Sequence, residues 1–284
     1  MNDTRRRVII ATDASVNLQS GFAERYQVLI VPRRFRLGNK VVVSGEGPTQ
    51  FASERRLPVL LPAHLDDFIS GYKQAGSPCI VSIHSPSTLD NAIHQVKIAR
   101  NLLTPGLDIE LFEAKTLDGG VQFLVETAAA FVESVSDATK DQVLALLERI
   151  QGEMISLVLA RWTGNLPCAP GVDSLQQLAS QFGARLLLKM ENARGTFTPL
   201  APGKRSSQVA FADSQQVMVQ WRRQDARQAN RLYAEMVAQL GADAFQVREI
   251  YLKNPHYPDD FIGIVAFPDA TRINELVKWV KRWG

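Results

Sequence analysis

The chain has 284 residues, 45% of them hydrophobic and 21% charged, a globular composition long enough for one large or two ordinary domains. A net charge of +3 is too small to argue for nucleic acid or an anionic membrane surface. Two cysteines in unrelated contexts, Cys79 and Cys168, make neither a metal cluster nor a secreted disulfide framework. The basic clusters Arg5–Arg7 and Arg33–Arg34 with Arg36 read as solvated edges. The first apolar run, three residues long, is too short for a signal peptide, and no apolar stretch reaches membrane-spanning length. A reduced cytoplasm is the expected setting.

In chain order, Val8–Ala11 predicts a strand that empties into Thr12, Asp13 and Ser15, with Asn17 soon after. Tyr26–Pro32 predicts a second strand, and "RFRLGNKVVV" a hairpin turning at Gly38–Asn39. Residues 44–64, rich in Gly, Pro and Ser, read as a loop. "CIVSI" at 79–83 predicts a buried strand. Leu89, Ala92, Ile93, Val96, Ala99 and Leu103 then share one helical face. Pro86, Ser87 and Asp90 form an N-cap pattern at the start of that helix. "LDIELFEA" predicts another strand, and Val121–Val132 and Asp141–Ile150 two helices.

The second half opens with the strand "MISLVLA", followed by a Gly/Pro-rich stretch and a short helix over Asp173–Phe182. "ARLLLKM" and "TFTPLAPG" follow. The most regular helix of the chain spans Ala226–Leu240, and two strands and an amphipathic helix close it. Alternating β and α elements favour an α/β fold: a mostly parallel N-terminal sheet covered by helices, then a C-terminal α+β unit. The division is placed at residues 1–153 and 154–284.

Pockets in such sheets form beyond the carboxyl ends of the strands. Ser85, Ser87 and Thr88 stand where the strand at 79–83 meets a helix N-terminus. First-turn N–H groups there lack intrahelical partners, so a carboxylate or phosphate could lie against them, as could a simple capping hydroxyl. Asp13, His84 and Ser85 together invite a nucleophilic triad, but no G-x-S-x-G elbow is present. Four dispersed histidines, His64, His84, His94 and His256, lack metal-ligand spacing. Gly119–Gly120 open a helix, either for a ligand-facing loop or for packing.

In this order the pieces resemble the DegV family of fatty-acid-binding proteins. "ATDASVNL" is similar to that family's T-D-S-T-A-D-L, with Asp13 and Asn17 in the acidic places. "VLIVPRRFRLGNKVV" resembles its V-V-P-L strand and hairpin, and "CIVSIHSPSTLDNAI" its I-S-S-G-L-S-G-T turn and helix. "IELFEAKTLDGGVQF" resembles V-x-V-I-D-S-x-x-x-x-x-G, and "RGTFTPLAPGKRSSQVA" resembles G-x-I-x-P-x-x-K-x-R.

The resemblance implies a two-domain DegV-like fold with no catalytic machinery and no cofactor. It implies a buried long-chain fatty acid as ligand and a separate ATP-dependent fatty acid kinase subunit as partner. It places the lipid carboxylate at Ser85, Ser87, Thr88 and Asp13, with Asn17, His84, Gly119, Gly120 and His256 as lesser candidates. Several stretches differ from the family pattern. The threonine loop reads Val59–Pro62, the serine turn gains Pro86, and "LPCAPGVD" at 166–173 holds no partner-facing arginine. A scaffold without lipid and a Ser/His/Asp hydrolase built on Asp13, His84 and Ser85 are the alternatives.

Overall fold

A computed structural model of the chain describes residues 8–283 apart from 55, 76, 105, 161–164, 182–183, 185, 192–194, 200–214, 222–226, 228–229, 232–233, 235–244, 250–253 and 258–260. The helix expected over Ala226–Leu240 falls largely outside the described residues.

The first sheet is parallel throughout, in the order β2 (Leu29–Val31), β1 (Val8–Asp13), β6 (Cys79–His84), β7 (Asp108–Glu113). All six residues of β6 are buried, as a central strand covered on both faces requires. One face carries α2 (Leu65–Lys73) and α3 (Ala92–Leu103), which close over Ala11, Val31 and Ile80 with Phe68, Tyr72, Ala92, Val96 and Ala99. Gly71 permits the close approach of α2, since a Cβ there would come within 3.1 Å of Val31.

The other face carries α4 (Asp118–Ser134) and α5 (Lys140–Glu153). A reciprocal capping box between Thr139 and Gln142 starts α5. Beyond these helices lies a six-stranded sheet of order β10 (Thr196–Pro199), β9 (Leu186–Glu191), β8 (Ile155–Ala160), β13 (Ile262–Pro268), β11 (Gln215–Trp221), β12 (Phe245–Glu249). Its strands are antiparallel except for the β11–β12 pair. Helix α6 (Val172–Gln181) follows β8, and the last helix, α7 (Ala270–Trp283), packs on α5. One hydrophobic core therefore runs from Val8, Ile10, Val81 and Ile83 through Leu124, Leu146 and Leu147 to Val158, Val265 and Phe267.

A small antiparallel sheet, β4 (Lys40–Ser44), β3 (Arg33–Leu37), β5 (Val59–Leu60), stands beside the parallel one. Gly38 makes its turn in the left-handed region at φ 60°. The parallel N-terminal sheet, its helices and the C-terminal α+β part match the fold class read from the sequence.

Two readings are corrected. The helix after β6 begins at Ala92 rather than at Ser87, because residues 87–89 form a turn in which Leu89 N and Asp90 N both donate to the Pro86 carbonyl. Arg33 is not a solvated edge but 1% exposed. It alternates with Phe35 on the inward face of β3, while Arg34 and Arg36 face outward.

Candidate functional site

The carboxyl ends of β1 and β6 hold a sealed polar network. Register pairs Ala11 with Ser82, so Asp13 comes level with His84, and the two-residue period puts Ser82 and His84 on one face. His84 Nδ1 lies 2.7 Å from Asp13 Oδ2, and His84 Nε2 shares a 2.8 Å hydrogen bond with Ser82 Oγ. Ser82 in turn bonds Tyr72 Oη of α2 at 2.8 Å. Phe68 meets the His84 ring edge-on. Ser82, His84 and Tyr72 are each 0% exposed.

Arg33 ties this network to its surroundings. Its Nη1 donates to Asp13 Oδ1 at 3.0 Å and to Asp90 Oδ2 at 2.7 Å. Its Nη2 donates to Asp90 Oδ1 and to the Leu61 carbonyl, both at 3.1 Å. Asp13 Oδ1 also accepts from Ser15 N (2.9 Å) and Ser15 Oγ (2.6 Å). Burial alone would raise the Asp13 pKa, but Arg33, His84 and Ser15 outweigh it and hold the carboxyl far below the usual range. Burial works against the charge of Arg33 too, and Asp13 and Asp90 reverse that. Tyr72 is pushed up, by burial first and then by Asp13, although its bond to Ser82 opposes this.

Asp13, His84 and Ser82 thus have the connectivity of a catalytic triad, with Ser82 where Ser85 was expected. The arrangement cannot act as one. Its serine lies under Tyr72 and is closed to any substrate, whereas a nucleophile must reach the reacting atom.

The turn beyond His84 is more open. Ser85 is 7% exposed, and its hydroxyl has no hydrogen-bond partner among the described residues. Ser87 N and Oγ both donate to Glu113 Oε1 of β7 at 2.7 Å. Burial opposes ionisation of Glu113, but the two Ser87 bonds, Lys115 and Lys97 outweigh it and lower its pKa. Thr88 Oγ1 donates to the Gly195 carbonyl at 2.9 Å, bridging to the second half of the chain. Asp90, engaged by Arg33, accepts from Ala92 N at 3.2 Å and so starts α3. Asn91 holds the loop after β5 by accepting from Ala63 N at 2.7 Å.

The remaining candidates divide by position. Asn17 Oδ1 is buried and unpartnered, in the segment leaving β1. His256 reaches the turn through Asn254, which accepts from His256 N (2.9 Å) and donates to the Leu89 carbonyl (3.5 Å). Gly119 and Gly120 lie in the first turn of α4, where a Cβ would collide with Met218 and Gln220, or with Thr116 and Met154. Both glycines thus meet a packing need. Sequence reasoning missed Arg33, Ser82 and Tyr72, and took Asp90 only as a cap. The alternation of Arg33 with Phe35 was the available signal.

Among the described residues no cluster of His, Cys, Asp and Glu is placed to hold a metal ion. No described helix is long and apolar enough to cross a membrane. Cys168 is pushed up to about 11, by burial first and then by Asp173, which leaves its thiol protonated at neutral pH.

A family model described as "Uncharacterised protein, DegV family" matches residues 7–166. The chain belongs to the DegV family. Solved DegV structures resemble it over nearly their whole length. A fatty acid binding DegV family protein from Streptococcus agalactiae matches with a TM-score of 0.72 and 14% identity, over 93% of this chain and 99% of that one. A DegV family protein from Thermus thermophilus, reported for its fatty acid binding, gives 0.69 and 16%, over 92% and 99%. The Fatty Acid Kinase (Fak) B3 protein from Streptococcus pneumoniae, loaded with linoleic acid, gives 0.64 and 14%, over 92% and 99%. At these identities the likeness establishes the DegV fold. No curated protein sequence matches the chain.

Proposed function

We propose that this chain binds a long-chain fatty acid without acting on it chemically. The observation that carries the reading is Ser85, a residue 7% exposed just beyond the carboxyl end of the central parallel strand, whose hydroxyl no hydrogen bond among the described residues engages. It lies in a fold whose solved members include proteins described as fatty acid binding. Burying the acyl tail supplies most of the affinity, at about 0.8 kcal/mol per methylene, and the head is oriented by hydrogen bonds. Ser85 contacts the head directly. Ser87, Thr88 and Asp13 act one step back, by fixing the turn through Glu113, Gly195 and Arg33.

A fatty acid kinase subunit is a possible partner, supported by the likeness to the Fatty Acid Kinase (Fak) B3 protein, while segment 166–173 differs from the family pattern in holding no arginine. Cys79 and Cys168 form no disulfide, which fits a reducing cytoplasm.

Native mass spectrometry of the purified protein, followed by organic extraction, tests the reading. A stoichiometric fatty acid is expected. An apo mass that stays unchanged after incubation with oleate would replace this reading with that of a scaffold. In a tryptophan-fluorescence titration, Ser85→Ala should weaken binding by about 1 kcal/mol, roughly fivefold, without unfolding the protein. Unchanged affinity would remove Ser85 from the site.

A further inference from the structure

The turn beyond β6 is anchored at each residue from Ser87 to Asn91. Ser87 is held by Glu113 of β7, and Thr88 by the Gly195 carbonyl. The Leu89 carbonyl accepts from Asn254, and Asp90 is gripped by Arg33 of β3. Asn91 meets both backbone groups of Ala63: its Oδ1 accepts from Ala63 N at 2.7 Å, and its Nδ2 donates to the Ala63 carbonyl at 3.4 Å. Neighbouring residues of the turn thus take their support from separate segments of the chain. Ser85, at its head, carries a hydroxyl that no hydrogen bond among the described residues engages.

Two of these anchors join the turn to the loop after β5. Leu61 N donates to the Arg34 carbonyl at 3.0 Å, and the Leu61 carbonyl accepts from Arg33 Nη2 at 3.1 Å. The same guanidinium meets Asp90 with both terminal nitrogens, Nη1 at 2.7 Å from Oδ2 and Nη2 at 3.1 Å from Oδ1. A paired contact of this kind fixes direction as well as distance, whereas neutralising a carboxylate needs only one nitrogen. Asp90 N and Leu89 N both donate to the Pro86 carbonyl, so the placement of Asp90 carries back to the residue that follows Ser85. A site built in advance loses less conformational freedom when its ligand arrives.

Resting on the fatty acid reading above, we propose that Arg33 and Asn91 are positioning residues for the ligand head. Neither touches the head. They lock the loop 61–63 to the turn 85–91, and so set where Ser85 presents its hydroxyl.

Displacement of a fluorescent fatty acid by oleate, measured on the wild type, Ser85→Ala, Arg33→Lys and the double variant, tests this. Arg33→Lys keeps a cation beside Asp13 and Asp90 but lacks the planar fork that spans Asp90 and Leu61 together. Circular dichroism at the titration temperature checks that each variant is folded. Arg33→Lys should weaken oleate binding about fivefold, as should Ser85→Ala, and the double variant should also lose about fivefold. A shared loss means that Arg33 acts through Ser85, whereas a residue needed only for folding would leave the affinity of the folded protein unchanged. Asn91→Ala strands no charge, should behave like Arg33→Lys, and carries the test alone if Arg33→Lys does not fold. Losses that multiply to about twenty-fivefold in the double variant would overturn the positioning role and leave the fatty acid reading standing. Unchanged affinity in Ser85→Ala, or in the folded Arg33→Lys and Asn91→Ala, would do the same. Oleate that fails to bind the wild type would overturn both.

Discussion

The two ends of the parallel sheet carry ion pairs of opposite character. At the carboxyl end Arg33 is 1% exposed, clamped between Asp13 and Asp90. At the amino end Lys140 of α5 reaches Asp108 at 2.8 Å and Glu110 at 3.4 Å, with 29% of its side chain exposed. The two sites bury ion pairs to different depths, and so differ in what happens when one member is lost. Water can replace Lys140 around its acids. Nothing can replace Arg33, because its guanidinium is buried between Asp13, Asp90 and the Leu61 carbonyl. Depth therefore makes the carboxyl end rigid and costly to disturb.

The largest expected effect comes from breaking the sealed end. Arg33→Met should destabilise the fold by about 3–5 kcal/mol, because it strands two buried carboxylates. Urea denaturation followed by circular dichroism measures this, and a loss below about 1 kcal/mol would mean that water enters the cluster. Acid should have a smaller, graded effect. Asp13 and Glu113 both have folded-state pKa values below their ordinary ones, so the stability they contribute is present above the unfolded value. It is lost as pH falls through the folded values. The urea midpoint should therefore hold from neutrality to about pH 5 and decline below about pH 4. A midpoint that does not move down to about pH 2.5 would contradict ionised buried carboxylates. Lys140→Met should change stability by at most about 1 kcal/mol, and that change should shrink in high salt while the Arg33 effect persists.

How legible these features were depended on their range in sequence. The strands β1, β6, β7, β8 and β13 announced themselves as apolar runs, and the hairpin at Gly38–Asn39 as a turn dipeptide. Local pattern decides such elements. The start of α3 was misplaced because Ser87 carries every mark of an N-cap, yet its donors go to Glu113, on another strand. A cap is a local signal, and here a contact 26 residues away overrode it. Arg33 failed for the same reason in reverse. It sits in an arginine-rich segment, and only the pairing of β1 with β6 creates the pocket that buries it. Asp13 and His84 were legible as chemistry-bearing residues, but not as partners of Ser82. The parity of β6 could have supplied that, since residues 82 and 84 share a face while Ser85 does not.

The shared core has a consequence for how the molecule comes apart. Helices α4 and α5 lie between the two sheets, and Leu124, Leu146 and Leu147 belong to one cluster with both Ile83 and Val265. Neither sheet can shed the other without exposing those helices to water. The slowest-exchanging amides of β6 and of β13 should then share a single opening free energy, as though the chain had one lock rather than two. Cleavage in the link at Met154 would leave the halves bound to each other.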